Sequence, residues 1–440
     1  MRDLSGWGRY PVIPATERLS EDLEQATREV VLTRGLGRSY GDSSLPPPGK
    51  GPVAGSRLAD RLLFFDDRNG VLRAEAGLPL SKINALFWPR GWATPITPGT
   101  QHVTLGGMVA ADVHGKNHHV EGCFGEHVRA LRMRVADGRI LEVTEQTEPQ
   151  LFRATLGGMG LTGHILEVEC RMHRIPTAWI WQESEWAESL DELIELLGRA
   201  SRHWPFTVAW ADALARDGDL GRGVVISGRW AEPREAPPGP PPRKGRLAVP
   251  FEMPAWLLNR WSVRAFNVLN FHKHGRGVRR AIVHPESFFY PLDVVHDWNL
   301  LYGKLGFTQY QCVLPHAAGS AYPRRLLEAL TRHRAASFLT VIKDCGAQGR
   351  GLLSFPRSGI SIALDIPIRP GLTQAAVDAM NEVVIEAGGR VYLAKDAFTR
   401  PWDFRSMEPR LDRWNEVRRR WDPDGRIASA QSVRLLGERP

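Results

Sequence analysis

The sequence lacks the signatures of several large functional classes. Its cysteines number only four and stand far apart, with no Cys-x-x-Cys pair and no other metal-ligand spacing. They are Cys123, Cys170, Cys312 and Cys345. We therefore expect reduced thiols and no bound metal. The neighbouring His118 and His119 are interpreted as residues that shape a loop, since no acidic partner stands at ligand spacing.

Long apolar runs are also missing. No stretch approaches the roughly 20 apolar residues that a membrane-spanning helix needs, and the first residues, Met-Arg-Asp-Leu-Ser-Gly-Trp-Gly, contain no apolar signal core. We expect a cytoplasmic protein with at most peripheral membrane contact. The chain has 440 residues, which is long enough for two domains. Its hydrophobic fraction of 42% and charged fraction of 24% are ordinary for a soluble globular protein.

Lysine is scarce, so the net charge of +8 comes mostly from arginine. The arginines are scattered, and no nucleic-acid-binding pattern such as an RRM or a helix-turn-helix accompanies them. We expect no nucleic-acid partner. A generally basic surface that tolerates anionic ligands is the better interpretation.

Glycine, in contrast, is concentrated in three short segments. The first is 34–44 (Arg-Gly-Leu-Gly-Arg-Ser-Tyr-Gly-Asp-Ser-Ser), the second runs from Pro98 to His119, and the third is 151–163. Neither the Walker pattern nor the GxGxxG fingerprint after a strand is present. Glycine lets backbone N–H groups approach a ligand without a Cβ in the way. Two separated loops of this kind suggest a diphosphate cofactor held from two sides.

The remaining patterns predict an α+β protein with short strands rather than a regular βαβ series. Ser20–Val30 and Leu411–Trp421 are predicted helices. Val128–Ala136 and Ile140–Thr144 should form a hairpin around Asp137-Gly138. Phe307–Leu314 alternates in the manner of a strand.

The order of these motifs resembles the FAD-binding half of the vanillyl-alcohol oxidase superfamily, with its PCMH-type FAD domain. The resemblance continues through Phe-Tyr-Pro-Leu-Asp293, Gln309-Tyr-Gln311, Leu353-Ser-Phe-Pro356 and Tyr392-Leu-Ala-Lys-Asp396, so it covers nearly the whole chain. It implies a two-domain α+β fold. Residues 1–176 would form the first part of the FAD domain, 177–389 an antiparallel-sheet substrate domain with a mobile Pro-rich loop at 233–250, and 390–440 a segment returning to the FAD domain.

The resemblance also implies which residues contact FAD. Tyr40 stands where many members carry a histidine bonded to the flavin, so we expect non-covalent FAD, with Arg34 or Arg38 adding a charged contact to the pyrophosphate. The implied cofactor contacts are Thr33, Arg34, Gly35, Leu36, Gly37, Arg38, Ser39, Tyr40, Gly41, Asp42, Ser43, Gly99, Thr104, Leu105, Gly106, Gly107, Ala111, Asp112, Val113, His114, Ile165 and Tyr392.

The activity implied is oxidation of a sugar secondary hydroxyl. The resemblance favours the C2′-OH of a polyprenyl-phospho-β-D-ribose, oxidised to the 2′-keto sugar in the first half of an epimerisation to arabinose for cell-wall arabinan. A short-chain reductase would be the partner. The implied catalytic residues are Lys395, Gln311 and His114. The implied substrate contacts are Lys343, Gln309, Asp293 and Tyr290. A lysine acts as a base only when burial or a neighbouring cation lowers its pKa, and otherwise stabilises an alkoxide as a cation, so both roles stay open for Lys395.

Two departures from the family pattern leave the substrate open. Ala363 stands where relatives carry a cysteine, and Lys343-Asp-Cys345 replaces a more apolar sequence. A soluble sugar, alditol or nucleoside is therefore an alternative substrate. A flavin-binding scaffold without catalysis is a third hypothesis.

Overall fold

The computed structural model describes residues 1–437 except 215–219, 240, 243–246, 255–259, 274–276, 334, 336 and 338. In chain order, the strands are β1 (Arg2–Ser5), β2 (Val12–Ala15), β3 (Glu17–Leu19), β4 (Leu32–Arg34), β5 (Val53–Gly55), β6 (Leu62–Asp66), β7 (Val71–Glu75), β8 (Trp92–Ala93), β9 (Val128–Arg134), β10 (Ile140–Thr144), β11 (His164–Arg171), β12 (His173–Arg174), β13 (Ile180–Ala187), β14 (Phe206–Ala211), β15 (Gly223–Trp230), β16 (Leu247–Ala248), β17 (Val278–Val283), β18 (Val295–His296), β19 (Phe307–Pro315), β20 (Thr340–Cys345), β21 (Gly359–Pro367) and β22 (Arg390–Val391).

The helices range from four residues in α1 and α4 to fifteen residues in α10. They are α1 (Leu23–Ala26), α2 (Leu80–Phe87), α3 (Leu105–Ala110), α4 (His118–Glu121), α5 (Pro149–Thr155), α6 (Leu190–Ser201), α7 (Arg260–Lys273), α8 (Pro285–Phe289), α9 (Ala321–Arg332), α10 (Leu372–Glu386), α11 (Pro401–Met407), α12 (Leu411–Trp421) and α13 (Ala430–Leu436). None of the helices in the described ranges is both long enough and apolar enough to cross a bilayer.

Antiparallel pairing dominates, which confirms the α+β class. A five-stranded sheet in the order β10-β9-β11-β7-β6 and a small parallel sheet, β3-β5-β4, come from the first 171 residues. An eight-stranded antiparallel sheet follows in the order β17-β13-β15-β14-β20-β21-β19-β22. The late strand β22 thus joins the sheet built by the middle of the chain. The division at residues 176 and 389 remains a prediction.

Three of the local predictions are confirmed and one is wrong; the predicted strand Phe307–Leu314 is found as β19. β9 and β10 form the expected hairpin, with Gly138 in the left-handed turn conformation (φ 94). Helix α12 has the predicted bounds. The predicted helix Ser20–Val30 shrinks to the four residues of α1. Glu29 adopts a positive φ of 54, which stops the helical path just before the β-branched Val30.

The two largest of four hydrophobic clusters in the described chain form its main cores. The larger packs the first sheets against α2, α3, α5 and α12, with Leu131, Phe152 and Trp414 completely buried. The second packs α6, α9 and α10 on one face of the eight-stranded sheet. Trp414 Nε1 donates to the carbonyl of Ala154 at 2.9 Å, so the C-terminal helices lie against the N-terminal part of the chain.

The loop predicted to be mobile, 233–250, lies partly outside the described residues, at 240 and 243–246. Its described parts carry specific contacts. Trp179 Nε1 donates to the carbonyl of Gly239 at 2.9 Å, and the Arg229 guanidinium forms a two-point contact with Glu235.

Candidate active site

The floor of the candidate site is the second face of the eight-stranded sheet. Side chains alternate along a strand, so Gln309 and Gln311 of β19 face one side while Tyr310 and Cys312 pack into the second core on the other. This alternation is what the sequence Gln-Tyr-Gln-Cys encodes.

Neighbouring strands extend this polar face. Ala363 and Asp365 of β21 pair with Gln311 and Gln309, and Ser361 pairs with Lys343 of β20. Directly opposed residues project to the same face of a sheet. We call the resulting set the polar row; it comprises Gln309, Gln311, Lys343, Ser361, Ala363 and Asp365.

One end of the polar row contains a buried carboxyl group. Asp365 accepts hydrogen bonds from Gln309 Nε2 and, at 3.4 Å, from the Tyr302 hydroxyl. The residue has no exposed surface, and this burial raises the pKa of Asp365 to about 7.

Lys395 approaches the same end from the segment after β22. Its ammonium lies 3.8 Å from the centre of the Tyr40 ring, a cation–π contact. Burial, together with repulsion by Lys343, lowers the pKa of Lys395 to about 7, against the opposing effect of Asp365. An amine and a carboxyl group therefore titrate in the same range within one pocket.

Backbone contacts fix Lys395 beside the first glycine segment. The Tyr40 N–H donates to the carbonyl of Ala394 at 2.9 Å. A Cβ on Gly41 would overlap the carbonyl oxygen of Asp396, so only glycine allows the two segments to touch here.

Arg434 of α13 joins these two segments by charge. Its guanidinium donates to both carboxylate oxygens of Asp42 at 2.8 Å, to Asp396 Oδ2 at 2.8 Å and to the carbonyl of Thr399 at 2.6 Å. Attraction to Asp396 and Asp42 outweighs burial and raises the pKa of Arg434, which stays charged.

His114 lies where the second glycine segment meets the polar row. Gln311 Nε2 donates to His114 Nε2 at 3.0 Å and to Ser361 Oγ at 3.1 Å. Burial, then Lys343, lowers the pKa of His114 well below its ordinary value, so the ring is neutral. With Nε2 accepting, the ring proton sits on Nδ1, which has no protein partner among the described residues.

The other end of the polar row is cationic. Lys343 is partly buried there. Burial, with a smaller effect from the charge of Lys343, lowers the pKa of Lys116 to about 7 and that of His118 to about 4. Lys116 donates to the carbonyl of Phe288 and lies 4.5 Å from the centre of that ring. This concentration of basic groups favours an anionic group of a ligand.

The first and second glycine segments contact each other, as expected if both bind the same cofactor. A Cβ on Gly35 would come within 2.5 Å of Thr104 Oγ1. Thr104 caps α3 by accepting from the N–H of Gly107 at 3.2 Å. Gly99, Gly107 and Leu36 remain exposed along the line where the segments face each other.

Several predicted cofactor contacts also hold the loops in shape. Arg34 donates to Ser44 Oγ at 2.9 Å and to the carbonyl of Ser5 at 2.6 Å, so its guanidinium ties the first glycine segment to β1. Asp112, completely buried, accepts from the N–H of Gly125 at 2.7 Å and from Ser354.

Other predicted positions are distributed as follows. Thr33 contacts His164 Nδ1 at 2.8 Å, Arg38 lies 3.9 Å over the Trp7 ring, and the Tyr392 hydroxyl donates to the carbonyl of Ala111 at 2.9 Å. Ser39 accepts at its carbonyl from the N–H of Trp7 at 2.7 Å. Gly37, Ser43, Leu105, Val113 and Ile165 are buried, and Gly106 packs against Ala76.

Two predicted substrate contacts are not part of the polar row, although the charge of Asp293 acts on Tyr40, the residue in contact with Lys395. Tyr290 is fully buried in the first core, where its hydroxyl oxygen accepts from Asn84 Nδ2 at 3.1 Å. Asp293 accepts from the backbone N–H of Gln101 at 2.8 Å and so supports the second glycine segment.

The residues present fit FAD. Buried polar atoms without a protein partner, among the described residues, occur in both glycine segments and beside the polar row, as a bound polar cofactor and substrate would require. They include Ser43 Oγ, Thr97 Oγ1, His114 Nδ1, Asn117 Oδ1 and His118 Nε2.

Comparison with known proteins agrees with this geometry. A family model for an FAD binding domain matches residues 16–144. The chain is 34% identical to the decaprenylphosphoryl-beta-D-ribose oxidase of Mycolicibacterium smegmatis, over 98% of this chain and 97% of that protein. The chain belongs to the decaprenylphosphoryl-β-D-ribose oxidase family. It is accordingly an FAD-dependent oxidoreductase.

More distant relatives share parts of the chain. An uncharacterized protein from the mprA 5′ region of Streptomyces coelicolor is 32% identical over 81% of this chain and its own full length. Mouse L-gulonolactone oxidase is 28% identical over 30% of this chain and 31% of its own.

Sequence reasoning missed three residues of the site. Asp365 stands two positions after Ala363, a spacing that places it on the same strand face, but nothing in the sequence pairs it with Gln309. Lys116 lies within the second glycine segment, where no spacing rule singles it out. Arg434 had no local signal, because its partners are distant in sequence.

Proposed function

We propose that this protein oxidises the C2′-OH of a polyprenyl-phospho-β-D-ribose to the 2′-keto sugar, with non-covalent FAD as the cofactor. The observation that carries the proposal is the polarity of the site. Basic groups around Lys343 stand at one end of the polar row, and the Lys395–Asp365 pair stands at the other. The relative from Mycolicibacterium smegmatis bears the name of this lipid-linked sugar.

The cationic end suits the phosphate of such a substrate. In a ribosyl phosphate the phosphate is attached at C1, next to the carbon that is oxidised, so both must fit within one short site. The Lys343 charge acts on His114 and Lys395 as well as on Lys116. An anion near Lys343 would relieve the repulsion among these groups.

Lys395 is the base in this proposal. Its pKa of about 7 leaves a substantial neutral fraction at physiological pH, which an ordinary lysine lacks. The amine takes the proton from the C2′ hydroxyl as the C2′–H bond breaks, and Asp365 then stabilises the ammonium that results.

Gln311 and His114 orient the sugar. The Gln311 amide is already held by His114 and Ser361, so its oxygen has a defined direction. The Nδ1–H of His114 offers a fixed donor that remains neutral. Preorganised donors of this kind cost little entropy when the substrate binds.

When bound, FAD would supply the two-electron acceptor that this oxidation needs. The two glycine segments would hold it, and Tyr40 in place of a histidine leaves no side chain there for the covalent bond. The keto sugar would pass to a short-chain reductase, which completes the epimerisation.

An anaerobic visible spectrum tests this proposal. Addition of polyprenyl-phospho-ribose should bleach the flavin bands, and acid precipitation should release all of the flavin into the supernatant. Polyprenyl phosphate without the sugar is the matched control and should leave the spectrum unchanged.

The other outcomes are equally informative. Flavin that retains its bands with the lipid, but bleaches with ribose, an alditol or a nucleoside, would move the substrate to the soluble class that Ala363 and Asp344 leave open. Flavin that no sugar bleaches would favour a scaffold. Flavin that stays with the acid-precipitated protein would contradict the non-covalent assignment.

A further inference from the structure

Three potential metal ligands meet outside the polar row. Glu121 ends α4, His127 ends the 3-10 turn Phe124–His127, and His173 lies in β12. The Glu121 carboxylate oxygens lie 3.7 Å from His127 Nε2 and 3.7 Å from His173 Nδ1. One ligand atom from each residue lies within 4.8 Å of the other two.

The chemistry of this set suits a transition metal. Two imidazoles and one carboxylate are ligands that Zn²⁺, Co²⁺ and Ni²⁺ all accept. Bonds of about 2.0–2.1 Å in tetrahedral geometry place neighbouring ligand atoms roughly 3.3 Å apart. The two separations from Glu121 are 3.7 Å and that between the two imidazoles is within 4.8 Å, so side-chain rotations would have to bring the ligand atoms together.

The surroundings leave room for an ion and a fourth ligand. The side chains of His127, Glu121 and His173 are 10%, 29% and 37% exposed, so one side of the cluster is open to water. Binding through Nε2 of His127 would replace its 3.0 Å hydrogen bond to the Glu121 carbonyl. Arg171 lies close enough to act on His127 and opposes a cation, so we expect moderate rather than very tight affinity.

We propose that Glu121, His127 and His173 form a binding site for a divalent transition metal, with Zn²⁺ as the best-suited ion. The strands next to two of the ligands already pair, since Val128 of β9 lies opposite Cys170 of β11. An ion there would tie the end of α4 to β12, which pairs with β8.

Because α4 lies next to the candidate active site, metal binding at its end would also affect that site. The helix begins at His118, four residues after His114, and His118 Nδ1 accepts from the N–H of Gly346 at 3.1 Å, beyond the end of β20. A metal at the far end of α4 would restrain the strand and loop that carry Lys343 and His114.

Calorimetric titration with ZnCl₂ tests the site. The sample is the FAD-loaded, untagged protein after dialysis against a chelator. The wild-type protein should bind one equivalent, and His173→Ala and Glu121→Gln should each weaken binding at least about tenfold. His316→Ala is the matched control, since His316 forms an isolated imidazole–carboxylate pair with Asp344 at 2.9 Å; it should bind as the wild type does.

Two results would overturn the proposal. One is the absence of saturable Zn²⁺ binding in the wild type, and the other is binding that His173→Ala and Glu121→Gln leave unchanged. Equal FAD content and equal circular dichroism in all variants establish that each has folded. Zn²⁺ should also raise the melting temperature of the wild type and of His316→Ala, but not that of the two ligand variants. None of these readouts depends on turnover of a sugar.

Discussion

At the scale of single residues, the unusual feature is an amine and a carboxyl group that both titrate near pH 7. Burial moves the two pKa values toward each other, because it disfavours the ammonium of Lys395 and the carboxylate of Asp365 alike. Their mutual attraction opposes this effect. Near pH 7 the Lys395 amine is therefore partly deprotonated and can accept the proton of a substrate hydroxyl.

Replacing Lys395 separates the two roles that a lysine can play. Lys395→Met should lower kcat by roughly 10²- to 10⁴-fold, the usual contribution of a general base. Lys395→Arg keeps the positive charge but does not deprotonate, so it should be as impaired as Lys395→Met. Steady-state kinetics with the lipid-linked sugar measures both, and Lys82→Met, which alters an exposed lysine paired with Asp60, is the control.

The pH profile provides an independent check on the same pair. Because the neutral amine is the active form, kcat/KM should rise through an apparent pKa near 7 and level off above it. Asp365 raises the pKa of Lys395, so Asp365→Asn should shift the rising limb to lower pH. An active Lys395→Arg enzyme, or activity that falls above pH 7, would assign Lys395 the cationic role.

At the scale of elements, α13 connects two distant segments, one 392 residues and the other 38 residues before Arg434 in the chain. Its Arg434 holds Asp42 of the first glycine segment and Asp396 next to Lys395. The helix begins with a capping box formed by Ser429 and Ser432, which fixes its orientation. A terminal helix thus sets the distance between the predicted FAD loop and the predicted base.

Arg434→Gln should destabilise the protein by about 3–5 kcal/mol, because it leaves two buried carboxylates without their cation. FAD should dissociate more readily, since Asp42 belongs to the cofactor loop. Thermal unfolding and the fluorescence of released flavin measure the two effects. Arg426→Gln, which breaks an exposed pair with Asp424, should change neither. Unchanged FAD retention in Arg434→Gln would mean that the loop keeps its shape without this contact.

At the scale of the whole molecule, the described chain buries several neutral histidines between its parts. His164 of β11 contacts Thr33 of β4, and His118 of α4 contacts the N–H of Gly346. Burial lowers the pKa of each to about 4, from an ordinary value of 6.5. These neutral rings therefore connect separate parts of the fold, and acid would protonate them and give them a charge that burial disfavours.

Stability should consequently fall as the pH drops from about 6.5 toward 4. The unfolded chain binds protons in this window while the folded chain does not, so the contribution is complete above 6.5 and is lost progressively below it. A pKa difference of this size between the unfolded and folded chain corresponds to roughly 3 kcal/mol of folding free energy for each histidine. Denaturant unfolding at several pH values measures the loss, which His164→Gln should reduce. A flat profile between pH 6.5 and 4 would contradict it.

The sequence by itself determined the local features of this protein. The glycine segments, the alternation of Gln309, Tyr310 and Gln311, the hairpin at Gly138 and helix α12 all follow from short-range rules of backbone freedom and periodicity. The family resemblance added FAD. Each of these depends on residues that are neighbours in the chain.

Only the tertiary structure decided how these pieces act on one another. The shared pKa range of Lys395 and Asp365, the engagement of Arg34 within its own loop and the bridge from Arg434 to Asp42 join residues from distant parts of the sequence. Burial and charge at a site are sums over everything that packs around it. No local pattern specifies those sums, so they exist only once the sheets and the C-terminal helices have come together.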